Sequence, residues 1–192
     1  MSRLDIPSRE SAPAELQPVF HFVDKRFGFV PNMYRTLSIS PQALTGITEM
    51  QGALARTLDV RTRERIALAV SQVNGCHYCL AAHSYLASNF AKLSSEEMEL
   101  NREGRSQDPK AEAAVQFAVK VTEKRGKVGD EDLDAVRAAG FSDAQVVEII
   151  ALCAQFFLTN FLANVFDIDV DFPATETEAA EIARTQPKVP IK

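Results

Sequence analysis

Glu64-Arg-Ile-Ala-Leu-Ala-Val-Ser-Gln-Val-Asn-Gly-Cys76-His-Tyr-Cys79-Leu-Ala-Ala-His83 is the stretch whose reading decides the fold. It sets two cysteines, a histidine and a carboxylate around one helix break, Asn74-Gly75. A helix beginning near Cys76 puts side chains at i, i+3 and i+7 on one face. Cys76, Cys79 and His83 have that spacing, so two sulfurs and an imidazole share a stripe. Cys79 and His83 are i and i+4, within reach of one another. Glu64 belongs to the preceding helix, and closing the hairpin at Asn74-Gly75 brings its carboxylate toward His83. A thiol pair, a base and a group that orients the base are the parts of a thiol-based redox site.

Zinc is the competing use of the same four side chains, since Cys76, Cys79, His83 and Glu64 would make four ligands. A structural zinc site usually takes its remaining ligands from a second Cys/His knuckle, and the chain has neither a second CxxC nor an HxxxH. The redox use is therefore preferred, with no metal and no cofactor assigned. Tyr78, inside the CxxC, either packs or donates a hydrogen bond to the site. His77 points off the cysteine stripe toward solvent, and His21 has no partner visible in sequence. Cys153 lies in an apolar helix and reads as a buried, inert thiol.

Outward from this stretch the whole chain is helical in pattern. Leu16, Val19, Phe20, Val23 and Phe27 recur at spacings of three and four, and Gly28 stops that helix. Asn32 is expected to cap a short helix to about Ile39. Ser40-Pro41 starts the next one, running to about Arg56. Asp59 or Thr62 opens the helix carrying Glu64. The CxxC helix is expected to reach about Asn89. Ser94-Ser-Glu-Glu97 and Ser142-Asp-Ala-Gln145 both have capping-box spacing. Asp108-Pro109 starts another helix, and Asp130 to Ala139 forms a short one closed by Gly140. No run of alternating β-branched residues occurs, so the class is all-α: antiparallel helix pairs with the CxxC at the start of a central helix. The division expected is an N-terminal arm over 1–14, a helical domain over 15–172, and a tail over 173–192 that is disordered or held by a partner.

Composition limits the alternatives. A chain of 192 residues, 46% hydrophobic and 24% charged, is ordinary for one soluble domain with a real core. A net charge of −5 without a Lys/Arg cluster argues against nucleic-acid binding. Three cysteines, two of them in the CxxC, suit a reducing, cytoplasmic setting and not a secreted disulfide framework. The N-terminus has no apolar signal core. Val146 to Phe166 is apolar but is interrupted by Glu148, Gln155, Asn160 and Asn164, so it reads as a buried or interface helix and not a membrane span. Asn160 and Asn164 either cross-link helices or line the mouth of the site. Thr62 to Ala69 and Val147 to Ala154 echo one another in placing a glutamate near the head of an apolar run, which ordinary helix composition also explains.

The string Glu64-(11 residues)-Cys76-x-Tyr78-Cys79-(3 residues)-His83 resembles the AhpD-like, carboxymuconolactone decarboxylase superfamily, and in particular its peroxidase-related branch. Gly28-Phe-Val-Pro31-Asn32, Arg63-Glu64 and Val70 to Cys76 are similar to that branch too. The resemblance covers about residues 15 to 172. It implies an all-helical fold and a trimeric or hexameric assembly. It also implies a peroxide-reducing thiol pair, with Cys79 as attacking thiol, Cys76 as resolving thiol, and His83 and Glu64 as proton relay. An external dithiol protein, thioredoxin-like or lipoyl-bearing, would restore the pair. Tyr78 stands where the superfamily's alkyl hydroperoxidase has His. Members that decarboxylate generally lack the CxxC.

Overall fold

Side-chain caps and left-handed residues set the helix boundaries in the computed structural model, which describes residues 2–173. Nine α-helices are present among these residues, and no strand. A 3₁₀ turn at Ala14–Leu16 leads into α1 (Gln17–Phe27), then α2 (Asn32–Leu37), α3 (Pro41–Leu54), α4 (Val60–Val73) and α5 (His77–Leu86). A π-turn at Ala87–Ala91 precedes α6 (Ser95–Arg102), α7 (Pro109–Glu123), α8 (Asp130–Ala138) and α9 (Asp143–Phe166). Gly28 ends α1 at φ +82°, and Gly75 makes the α4–α5 turn at φ +60°, a region that side chains with a Cβ rarely adopt.

The caps follow sequence expectations with two differences. Ser40, Asp59, Ser94, Asp108 and Ser142 each accept a hydrogen bond from a first-turn amide of their helix. Ser142 and Gln145 complete a capping box. At Ser94 the reciprocal half is missing, because the Glu97 carboxylate turns inward to Arg65 Nε at 2.7 Å. Asn32 does not cap α2. Pro31 holds that position, and the Asn32 side chain donates to the Asp169 carbonyl at 2.9 Å. The helices after the first break are also shorter than the pattern predicts. α2 stops at Leu37 and α5 at Leu86, where the π-turn begins.

α4 is the central helix. Ile66, Ala67, Leu68, Ala69 and Val70 are all fully buried, so it is enclosed on several sides. Ile66, Ala67 and Val70 join a core with Ala114, Phe117, Val136, Ile149 and Phe156 from α7, α8 and α9. Leu68 faces a smaller core with Ala87, Leu93 and Met98. Each fully buried Leu, Ile or Val contributes about 1.5–3 kcal/mol relative to exposure, which secures this hub. A second core gathers Phe20, Met33, Leu44 and Ile47 from α1 to α3 around Cys76, Tyr78 and Cys79 of the α5 start. The CxxC thus lies at the start of α5, packed into the core beside α4.

By length and composition α9 is apolar enough to cross a membrane. Here Val146, Ile149, Leu152, Cys153, Phe156 and Ala163 are buried against the rest of the chain, as a core helix requires. Val147, Ile150, Leu158, Phe161 and Val165 form an exposed apolar stripe on its other side. The N-terminal arm is pinned to the end of α9. The Arg3 amide donates to the Phe166 carbonyl at 2.7 Å, and the Ser2 amide to Asp169 Oδ2 at 3.1 Å. The expectation for the tail falls on residues 174–192, outside the described residues.

Candidate active site

The α4–α5 hairpin closes as its Asn74-Gly75 turn dictates. It brings Glu64 Oε2 to 2.8 Å from His83 Nδ1, with both side chains mostly buried. A Glu64 carboxylate accepting from Nδ1–H fixes the tautomer and leaves Nε2 as the nitrogen free to accept a proton. The ring is held edge-on against Phe156 at 5.1 Å between centroids.

Cys76 is the N-cap of α5, and its sulfur accepts the Cys79 amide at 3.2 Å. A hydrogen bond from the Cys79 thiol, with further help from first-turn amides, holds Cys76 below the ordinary thiol range against the opposing effect of burial. The same contact works in reverse on Cys79. The hydrogen bond to Cys76, then burial, push it well above that range, although Asn160 and Thr159 beside it pull the other way. In the reduced pair the first proton to leave is therefore that of Cys76, and the remaining one is shared from Cys79.

Access separates the two sulfurs. Cys76 has no exposed surface. Cys79 is 3% exposed and lines a cavity of about 80 Å³, with His83, Met33, Phe156 and Phe172 also in its wall. No hydrogen bond joins His83 to either sulfur among the described residues. The i, i+4 spacing puts Cys79 and His83 on one cavity wall, but Glu64 draws the imidazole's bonded nitrogen toward α4.

Tyr78 sits at the back of this wall. Its hydroxyl accepts the Met33 amide at 3.1 Å and donates to Asp171 Oδ1 at 3.0 Å. Asp171 Oδ2 accepts the Asn32 amide at 2.6 Å. Burial raises both the Tyr78 hydroxyl and the Asp171 carboxyl above their ordinary ranges. Asp171 thereby fastens the segment after α9 across the site. The next residue, Phe172, packs edge-on against Phe27, Phe29 and Tyr78 at 5.4–6.3 Å. Tyr78 is both of the things its position allowed, a packed ring and a hydrogen-bond donor, but its bond serves the roof and not the thiols.

Asn160 and Asn164 cross-link helices. Asn160 Nδ2 donates to Ser71 Oγ at 3.2 Å and its Oδ1 accepts from Asn74 Nδ2 at 2.8 Å, while Asn164 donates to the Asn74 carbonyl at 2.9 Å. Both tie α9 to the turn that presents the CxxC. Asp171, Phe172, Thr159 and Gln155 are site residues that motif reading missed. The last two had a signal: polar side chains four apart in an apolar helix face the same way. Cys153 is buried between α9 and α7, and burial pushes its thiol up to about 12. His77 and His21 are exposed. Among the described residues no three His, Cys, Asp or Glu side chains converge on a point that could hold a metal ion.

Residues 41–124, which span α3 to α7 and contain Glu64, Cys76, Cys79 and His83, match the carboxymuconolactone decarboxylase family. An uncharacterised peroxidase-related protein from Ralstonia eutropha JMP134, with an alkylhydroperoxidase AhpD core, superposes with a TM-score of 0.79. It is 29% identical, over 88% of this chain and 92% of that one. A peroxidase-related protein from Silicibacter sp. TM1040 gives 0.77 at 24% identity, over 92% and 93%. The debrominase Bmp8, in complex with 2,3,4-tribromopyrrole, gives 0.77 at 20% identity over 97% and 100%, a likeness of fold. No protein of curated function matches significantly. The family match over residues 41–124 and the fold shared with the peroxidase-related protein from Ralstonia eutropha JMP134 support placing the chain in the AhpD-like, carboxymuconolactone decarboxylase superfamily.

Proposed function

We propose that the chain is a thiol-dependent peroxidase of the AhpD-like kind, reducing organic hydroperoxides through a Cys79–Cys76 disulfide cycle. One observation carries the reading: Cys79 of a CxxC lines the same small cavity as a His83 oriented by Glu64. The peroxidase-related neighbour at 29% identity supports it.

In the first step the Cys79 thiol passes its proton along its hydrogen bond to Cys76. The thiolate then attacks the terminal oxygen of R–O–O–H. The S–O bond forms as O–O breaks, giving Cys79–S–OH and an alkoxide. His83, held by Glu64, takes up at Nε2 the first proton lost by the thiol pair and returns it to the alkoxide to give R–OH. Loss of the Cys76 proton then lets its sulfur attack Cys79, expelling hydroxide, which leaves as water after protonation. The balance is R–O–O–H plus two thiols giving R–OH, water and one disulfide. An external dithiol protein, thioredoxin-like or lipoyl-bearing, returns two electrons and two protons by exchange. A reducing, cytoplasmic compartment suits this cycle. The exposed Val147, Ile150, Leu158, Phe161 and Val165 stripe on α9 is the surface we assign to homo-oligomer contact, in a trimer or hexamer.

The test is single-turnover reaction with cumene hydroperoxide. Cys79→Ser abolishes peroxide consumption, and Cys76→Ser stops at a sulfenic acid that dimedone traps at Cys79. Full activity in Cys79→Ser would overturn the assignment of the attacking thiol.

A further inference from the structure

The wall of the cavity beside Cys79 contains a buried amide oxygen that its surroundings leave unused. Gln155, on α9 one turn before Thr159, is 7% exposed and lines the cavity, yet its Oε1 has no hydrogen-bond partner among the described residues. Three neighbouring polar side chains each have a partner within the protein. Gln51 Oε1 accepts from the Tyr34 hydroxyl at 3.1 Å, Thr159 donates to the Phe156 carbonyl at 3.1 Å, and His83 pairs with Glu64. A buried acceptor without a donor is destabilising, so such a group in a cavity wall marks where a donor from outside is received.

We propose that Gln155 is a specificity-determining residue that receives the O–H of the substrate, so that this cavity selects hydroperoxides carrying an apolar organic group. The inference rests on the peroxidase reading and deepens it. Two features of a ligand satisfy the wall at once. A terminal O–H donates to Gln155 Oε1, and an alkyl or aryl group packs against Met33, Phe156 and Phe172. Hydrogen peroxide supplies the first and lacks the second, and a dialkyl peroxide supplies the second and lacks the first. Gln155 shares its face of α9 with Thr159, whose side chain lies against the Cys79 sulfur. A hydroperoxide held by its O–H is thus held by the oxygen that the thiolate attacks. The electron balance is that of the peroxidase cycle, and Gln155 exchanges no electrons.

The experiment is stopped-flow oxidation of the reduced protein by cumene hydroperoxide, hydrogen peroxide and di-tert-butyl peroxide. Wild type is compared with Gln155→Leu and Gln155→Met, the unbranched Met covering the case in which Leu disturbs folding. Thiolate absorbance against pH is recorded on each protein. The proposal predicts cumene hydroperoxide as the fastest oxidant of wild type. It predicts about a tenfold loss of that rate in both variants, the worth of one buried hydrogen bond, with the thiolate titration unmoved. Variants that react as fast as wild type overturn the role of Gln155 and leave the peroxidase reading standing. A slowing accompanied by a shifted thiolate titration overturns it as a substrate contact. A wild type that no hydroperoxide oxidises overturns the peroxidase reading and this inference together.

Discussion

Replacing Glu97 by leucine should destabilise the fold more than any exposed ion-pair deletion. The Glu97 carboxylate is 4% exposed and lies under the central helix α4. Four donors converge on it: Arg65 Nε at 2.7 Å, Asn101 Nδ2 at 3.0 Å, Ser106 Oγ at 2.6 Å and the Gln107 amide at 2.8 Å. Leucine leaves Arg65, 6% exposed, as a buried cation whose remaining carboxylate neighbour is Asp108 at 4.0 Å. Breaking a buried pair by removing one partner costs about 3–5 kcal/mol. For a chain of this size that is a fall in Tm of about 6–20 °C, measured by calorimetry at pH 7. The sign with pH follows from the hydrogen bonds. Although burial, the largest influence, opposes ionisation, the four donors together hold Glu97 below its ordinary value. Its ionised form thus contributes stability above the unfolded carboxyl range, and that contribution is lost as pH falls through the lower folded value. The gap between wild type and Glu97→Leu should therefore narrow on acidification below about pH 4. The double variant Arg65→Met/Glu97→Leu should recover part of the loss, because no unpaired charge remains. A Glu97→Leu loss below about 1 kcal/mol, the range of exposed pairs, would refute the reasoning.

Three further outcomes follow from the same geometry. Cys79→Ser should keep a thiolate that absorbs below the ordinary thiol range, and Cys76→Ser should not; ultraviolet absorbance against pH reads this directly, and the reverse pattern would contradict the N-cap argument. Cys153, pushed up to about 12 from 9.0, contributes stability that is full below the unfolded thiol value and lost as pH rises toward 12. That is about 4 kcal/mol at about 1.4 kcal/mol for each pH unit. Urea unfolding from pH 8 to 11 should therefore show a shallower alkaline loss in Cys153→Ala, whatever its stability at pH 7. Asn160→Ala leaves Ser71 Oγ and Asn74 Nδ2 without their shared partner and should cost about 2–4 kcal/mol by urea denaturation, with a slower Cys79 reaction; an unchanged midpoint would remove Asn160 from the positioning network.

Much of this was legible in local chemistry. Ser40-Pro41, Asp108-Pro109 and Ser142 through Gln145 announce helix starts through contacts made within one turn, so short sequence windows contain them. The spacing from Glu64 to His83 foretold their contact, because a three-residue turn between two helices leaves few ways to close. What sequence could not disclose depended on distant partners. Glu97 looked like half of a capping box, and its carboxylate was instead claimed by Arg65, 32 residues earlier. Tyr78 finds Asp171 across 93 residues, and Asn32 finds it across 139. The choice between packing and cross-linking for Asn160 turned on Ser71, 89 residues away. The relative ionisation of the two cysteines was readable in direction from the helix N-terminus, but which sulfur faces open space needed the cavity, which Cys79 lines and Cys76 does not.

The central claim is that Cys76 and Cys79 form a peroxide-responsive pair. Free thiols are counted on purified, reduced protein before and after one equivalent of cumene hydroperoxide, with the modified cysteines located by mass spectrometry. The account predicts that two of the three thiols are lost, as a Cys76–Cys79 disulfide, with Cys153 still free. Three thiols remaining after exposure, or a loss confined to Cys153, would contradict it.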